Sequence, residues 1–194
     1  MIVVVISPVW QVVVTYGIHW LDSLVRFICM TSNQTVRNTL VMSSPVGKLT
    51  LVASSKGLVA IDVRNNAKRV VTAKDASAQG ILIETKQQLE QYFAGKRATF
   101  DVALDLVGTE FQLQAWRALC RIPFGKTISY GQQAKNIKNP KAFRAVGSAN
   151  GKNPIPIIVP CHRVVASDGS LGGYSLGLKM KKQLLALEGV SEAE

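Results

Sequence analysis

Three helix starts crowd into one short part of the chain, and they constrain the fold more than any other feature. Thr109 and Gln112 form a T-x-x-Q capping box ahead of the apolar positions Phe111, Ala115, Trp116 and Leu119. Ser129 and Gln132 repeat the device before a second, short helix. Asn139 can cap a third, with Pro140 at its first position, where a missing N–H costs nothing. That helix is expected from about Lys141 to Ala149, ending near Asn150-Gly151. Short helix, brief turn, short helix is a helix-turn-helix pattern, so residues 107–194 read as a mostly helical domain.

The preceding part has a different rhythm. Lys48 to Ala53 alternates, with Leu49, Leu51 and Ala53 on one side, between turns at Pro45-Val46-Gly47 and Ser55-Lys56-Gly57. Leu58 to Val63 is the expected partner strand. Ile81 to Phe93 is a helix candidate with Gly95 placed as its C-terminal cap. Phe100, Val102, Leu104 and Leu106 alternate with Asp101, Ala103 and Asp105, which predicts another strand. Residues 39–106 thus form a small α/β domain. Residues 1–38 are set apart as an extension. Ile2 to Leu21 carries no Asp, Glu, Lys or Arg and has about the length of a membrane span. Pro8, Gln11, Thr15, Gly17 and His19 interrupt it, and it lacks the basic start and small-residue cleavage site of a signal peptide. A β-rich extension, or residues translated from an early start, is expected over a membrane anchor.

Charge points to the partner. The net charge is +11 over 194 residues. From Arg117 to Arg163 the ionised side chains are Arg117, Arg121, Lys126, Lys135, Lys138, Lys141, Arg144, Lys152 and Arg163, with no Asp or Glu among them. Such a run is either a solvated basic face or a phosphate-tracking surface, with nucleic acid ahead of an anionic membrane as the polyanion. In the third helix Ala142, Ala145, Gly147, Ser148 and Ala149 are small, which suits close approach to a groove wall or tight packing on a neighbouring helix. Arg144 is its one central long cation and could reach between bases or pair with one. The three cysteines, Cys29, Cys120 and Cys161, are odd in number and far apart, which argues against a disulfide scaffold or a structural zinc site and for a reducing compartment.

The segment IPIIVPCHRVVASDGSLGGYS holds the one thiol with chemical surroundings. A cysteine after an apolar run is most often a small buried hydrophobe. Here Asn153-Pro154-Ile155-Pro156 leads in, and Gly169, Gly172, Gly173, Tyr174 and Ser175 lead out, a punctuated loop suited to lining a pocket. Neighbours on a strand face opposite ways, so Cys161 and His162 cooperate only if a tight turn follows Pro160. A free thiol is mostly protonated at neutral pH and needs an imidazole and a carboxylate behind it to become a nucleophile. His162 is adjacent, and Glu188, near the end of the last helix, is one of the few acidic residues downstream.

Pro160-Cys161-His162-Arg163-Val164 resembles the active-site signature of the O6-alkylguanine-DNA alkyltransferases. Phe111-Gln112 with Trp116, Ile122-Pro123 with Gly125, Ser129-Tyr130-Gly131, Arg144-Ala145-Val146-Gly147, Asn153-Pro154, Gly173-Tyr174-Ser175 and Glu188-Gly189 follow the same family in order, covering about residues 109 to 189. The resemblance implies an α+β fold: a ribonuclease-H-like sheet domain, then a winged helix-turn-helix-like domain. It implies direct, single-turnover repair of O6-alkylguanine, and of O4-alkylthymine, in double-stranded DNA. The helix-turn-helix would bind the minor groove and the damaged nucleotide would be flipped out. No cofactor or metal is implied, and a monomer in the cytoplasm, on the nucleoid when bound to DNA, is expected.

By the same resemblance Cys161 is the alkyl acceptor, His162 takes its proton through a water, and Glu188 orients the imidazole. Tyr130 hydrogen-bonds the guanine ring nitrogen, Asn153 is the hinge before the active-site loop, and Arg144 fills the gap in the base stack. Tyr174 and the Ser175 N–H cover the base, and the Val164 carbonyl accepts from its exocyclic amine. Ala142, Phe143 and Gly147 belong to the DNA-facing helix. Phe143 departs from the family pattern, standing where a second small residue beside Ala142 is expected, and its ring could act as a wedge. Two other readings compete: a damage-sensing DNA binder without transfer, and a cysteine hydrolase using Cys161 and His162.

Overall fold

A computed structural model describes residues 37–63 and 75–190. The expectations for residues 1–36, including an anchor over 2–21, lie outside the described residues. Among the described residues no helix is long and apolar enough to cross a membrane.

The first layer is an antiparallel sheet of β1 (Asn38–Ser44), β2 (Gly47–Ser54) and β3 (Gly57–Asp62), in that order. The alternation in β2 does what its pattern requires: Leu49, Leu51 and Ala53 are wholly buried on one face. Helix α1 (Ala76–Phe93) covers that face with Leu82, Leu89 and Tyr92. It starts earlier than the expected Ile81, because the Asp75 carboxylate accepts from the Ser77 and Ala78 N–H groups and caps it there.

The strand expected over Phe100 to Leu106 is an extended segment with a single bridge, Leu58 to Leu104. Two causes stop a ladder from forming. The Gln88 side chain takes both backbone groups of Asp101, at 2.9 and 2.8 Å. The free edge of β3 is also divided: Leu58 exchanges hydrogen bonds with Ala103 and Asp105, while the Ile61 N–H donates to the Pro154 carbonyl. The approach at Gly57 is close, since a Cβ there would lie 2.7 Å from the Ala103 carbonyl oxygen. Gly57→Ala should therefore destabilise the protein by about 1–3 kcal/mol in denaturant unfolding. Gly80→Ala, on the exposed side of α1 with nothing within 4 Å of the new methyl, should stabilise it by about 0.5–1 kcal/mol.

The remainder is mostly helical. The Thr109 capping box on α2 (Glu110–Leu119) has both halves in place, and the Ser129 hydroxyl caps α3 (Tyr130–Asn136). Helix α4 (Phe143–Gly151) begins later than expected. Lys138, at φ 59°, closes α3, and Asn139 spends its carbonyl on the Ala142 N–H in a turn. Ala142 therefore occupies the cap position, without a side-chain bond. The three helices are locked by buried polar contacts: Gln133 and Asn150 exchange amide bonds of 3.1 and 2.8 Å, Gln133 also donates to the Ala115 carbonyl, and the Trp116 indole donates to Ala149. A two-residue parallel pair, β4 (Ile128–Ser129) with β5 (Val164–Val165), ties this unit to the cysteine segment, and α5 (Leu178–Leu187) closes the chain.

Candidate active site

The apolar run of the cysteine segment is an anchor: Ile155, Ile157 and Val159 are wholly buried. It ends in one 3-10 turn, Cys161–Arg163, in which the Arg163 N–H donates to the Pro160 carbonyl at 3.1 Å. This is the tight turn that the neighbouring Cys and His require. A strand would have sent their side chains to opposite faces.

Cys161 is 6% exposed and borders a cavity of about 330 Å³. Tyr130 from α3, Gly147, Asn150 and Gly151 from α4, and Gly173, Tyr174 and Ser175 complete its walls. Asn153 Nδ2 donates to Sγ at 3.1 Å and to the Val159 carbonyl at 2.7 Å, while its Oδ1 accepts from the Ile155 N–H. Burial pushes the thiol pKa up; the Asn153 amide, the nearby Tyr174 hydroxyl and the Lys181 ammonium pull it down. The Tyr174 hydroxyl is buried and meets no acceptor or donor in hydrogen-bond geometry among the described residues. The Tyr130 hydroxyl donates to the Gly173 carbonyl at 3.1 Å, and its pKa is raised by burial and by the charge that Cys161 would carry. Gly172, at φ 63°, lets the Tyr130 ring lie where a Cβ would come within 3.2 Å.

Behind the thiol is a buried ion network. Glu188 caps the end of α5, and both its oxygens are saturated. Oε1 meets His162 Nε2 at 2.9 Å, Arg163 Nη2 at 2.9 Å and the Tyr92 hydroxyl at 2.7 Å. Oε2 meets Arg163 Nε at 2.8 Å and the Gly125 N–H at 3.2 Å. Burial would raise the Glu188 pKa, but hydrogen bonds from His162 and Arg163 outweigh it and bring the value down to about 2. Burial holds the His162 imidazole below its usual range, with the carboxylate opposing that shift. An ionised carboxylate only accepts, so the proton of the neutral ring sits on Nε2. Nδ1 then carries a lone pair, and it has no protein partner among the described residues.

Lys181 is wholly buried. Its ammonium donates to the Val164 carbonyl at 2.6 Å, to the Leu171 carbonyl, and at 3.5 Å to Gly173. It thus pins both ends of the segment that forms the cavity rim, although burial draws its pKa down to about 8.

The residues singled out from the sequence fall into three places. Cys161, Tyr130, Gly147, Tyr174 and Ser175 border the cavity. Asn153 touches the thiol, while His162 and Glu188 pair behind it. Val164 is wholly buried and is not among the cavity walls; its carbonyl is engaged by Lys181. Ala142, Phe143 and Arg144 stand at the start of α4, with the Arg144 guanidinium 5.6 Å from the centroid of the Phe143 ring, which is 47% exposed. Tyr92, Arg163, Asn150 and Lys181 were missed as site residues. Lys181 did leave a sign, because it shares the buried side of α5 with Met180, Leu184 and Leu185. The Tyr92 hydroxyl, arriving from the first domain, left none.

A sheet-and-helix domain followed by a helix-turn-helix whose second helix walls a cavity with a hydrogen-bonded thiol defines a class of DNA-handling proteins with a cysteine at the work site. Comparison with known proteins gives the family. The ribonuclease-like domain of 6-O-methylguanine DNA methyltransferase matches residues 38–106, and the DNA binding domain of 6-O-methylguanine DNA methyltransferase matches residues 110–190. The chain is 47% identical over 150 residues to the methylated-DNA–protein-cysteine methyltransferase of Methanosarcina acetivorans, covering 77% of this chain and 96% of that one. It is similar to the structure of Mycobacterium tuberculosis OGT in complex with DNA, with TM-score 0.69 and 45% identity over 78% of this chain and 91% of that one. It is also similar to the structure of M. tuberculosis O6-methylguanine methyltransferase, with TM-score 0.69 and 41% identity over 82% and 97%. The chain belongs to the 6-O-methylguanine DNA methyltransferase family, and its fold is that family's α+β arrangement.

Proposed function

We propose that this protein repairs DNA by moving the alkyl group of O6-alkylguanine, and of O4-alkylthymine, onto Cys161, once per molecule. The observation that carries the assignment of residues is the thiol itself. It borders a cavity, receives an amide hydrogen bond, and has a neutral imidazole with a free Nδ1 lone pair backed by a saturated carboxylate.

In the proposed step the Cys161 proton passes through a bridging water to His162 Nδ1, and Glu188 stabilises the imidazolium that forms. The thiolate attacks the alkyl carbon in line with the departing oxygen. A C–S bond forms as the C–O bond breaks, and the electron pair returns to the purine. The Tyr130 hydroxyl, already aimed at the cavity rim, hands its proton to the ring nitrogen so that the base leaves neutral, and the proton taken up by His162 restores the hydroxyl through solvent. Asn153 holds the sulfur in place, and Tyr174 and Ser175 cover the base. The Val164 carbonyl keeps a second lone pair for the exocyclic amine beside its bond from Lys181. A base reaches this cavity only when extruded from the duplex, at a cost of a few kcal/mol. Arg144, stacked beside Phe143 at the head of α4, fills the space left behind, with the small faces of Ala142 and Gly147 allowing close approach. The partner is alkylated double-stranded DNA bound through its minor groove, and the working form is a monomer without cofactor or metal, in the cytoplasm and on the nucleoid when bound.

The test is stoichiometric. Duplex carrying radiolabelled O6-methylguanine should deliver one label per chain, recovered on the peptide containing Cys161. Label that stays on bound DNA, or product that exceeds one equivalent, refutes the reading.

A further inference from the structure

We infer that a second, separate groove, between the end of α2 and the turn after α3, holds a phosphate of the DNA backbone. The inference rests on the DNA-binding reading above. The groove encloses about 290 Å³, and Arg117, Arg121 and Lys138 line it together with the amides of Gln114 and Asn136. No carboxylate is among its walls. None of the three cations makes an ion pair or side-chain hydrogen bond among the described residues. The walls of the active-site cavity are different residues altogether.

Two features call for an anion there. Arg117, in the last turn of α2, and Arg121, in the turn just past its end, both line the groove, and like charges gathered there repel when no opposite charge intervenes. Lys138 adds a third cation from a backbone position that disfavours it. It sits at φ 59° just past the end of α3, the left-handed position that helices usually give to glycine. A cation near a helix C-terminus is favourable in itself, but Lys135, within α3, already supplies one. The converging donors of two guanidinium groups and an ammonium match the oxygens of a phosphodiester, and the Asn136 amide adds a neutral donor beside them, while the Gln114 amide is turned to the Glu110 carboxylate at 3.2 Å. The groove adjoins the turn that leads into α4, so a duplex lying along α4 carries its backbone past it.

The test is the salt dependence of binding to undamaged duplex. Each phosphate neutralised contributes about 0.9 to the slope of log K against log salt. R117Q/R121Q should lower the slope by about 1 and the affinity by about tenfold at 0.1 M salt. The exposed sheet lysines serve as control, and K48Q/K56Q should leave the slope unchanged. Lys138→Gly separates a binding role from a structural one. It relieves the backbone while removing the charge, so the melting temperature should hold or rise while the affinity falls. Unchanged slopes in both groove variants, with normal wild-type binding, overturn the groove and leave the repair reading intact. A wild-type chain with no salt-dependent duplex binding overturns both.

Discussion

Cys161→Ala is expected to abolish alkyl transfer while leaving duplex affinity within about twofold. The substitution removes only the sulfur that would form the new bond. The cations that would bind DNA lie elsewhere: Arg144 on α4, and Arg117, Arg121 and Lys138 around the groove between the end of α2 and the turn after α3. The fold should survive, because the side chain is small, and the one bond lost, from the Asn153 amide, is worth about 1 kcal/mol. Cys120 does not stand in for it. It is exposed and is not among the walls of the cavity. Transfer measured by label on protein, and binding measured by mobility shift on alkylated duplex, separate the readings. Transfer that persists in the variant removes Cys161 from its role. A cellular protective effect that survives the substitution would instead point to damage sensing, in which the DNA-bound form is the active one.

Where sequence pattern and structure agree, the cause is local. The hydroxyl caps at Thr109 and Ser129 need only a hydroxyl and a backbone N–H three residues on, so they form wherever the chain meets them; the returning Gln half closes the box at Thr109, whereas at Ser129 the Gln132 amide donates to Asn136 instead. The alternation of β2 likewise fixes its buried face. Disagreement arises where a distant partner decides. The alternating Phe100–Leu106 segment had the right periodicity, but nothing in it announces that Gln88 and Pro154 compete for the bonds a ladder needs. Asn139-Pro140 reads as a helix start, yet the left-handed Lys138 turns the chain first. The site shows the same division. The turn at Cys161–Arg163 was legible as a requirement, because an adjacent Cys and His are useful only if a strand does not separate them. The hydroxyl of Tyr92 was not legible. It reaches Glu188 across 96 positions of sequence, and its own helix marks it merely as one more apolar contact.

Glu188→Gln is expected to be the most destabilising single change at the site, by about 3–5 kcal/mol at neutral pH. The carboxylate is 4% exposed and neutralises Arg163, itself 6% exposed. The amide keeps the shape but leaves the guanidinium buried with the Ile122 carbonyl as its remaining neutral acceptor, and it turns an N–H₂ group toward donors. The pH dependence identifies the cause. The folded Glu188 carboxyl titrates at about 2 against an ordinary value near 4.5. A depressed carboxyl contributes stability that is complete above its unfolded pKa and is lost as pH falls through its folded one. The wild type should therefore lose about 3 kcal/mol between about pH 4.5 and 2 from this group alone. His162 adds a loss of the same sign beginning below its ordinary 6.5, because its ring is also held below its usual pKa. Denaturant midpoints at pH 7, 4 and 3 should converge for wild type and variant as the acid removes from one what the substitution has already removed from the other. Transfer at pH 7 should slow by about a hundredfold, since the imidazolium formed in the step loses its counter-charge. A variant within 1 kcal/mol of wild type at neutral pH, with the acid loss undiminished, would show that the network behind the thiol is not held by this carboxylate.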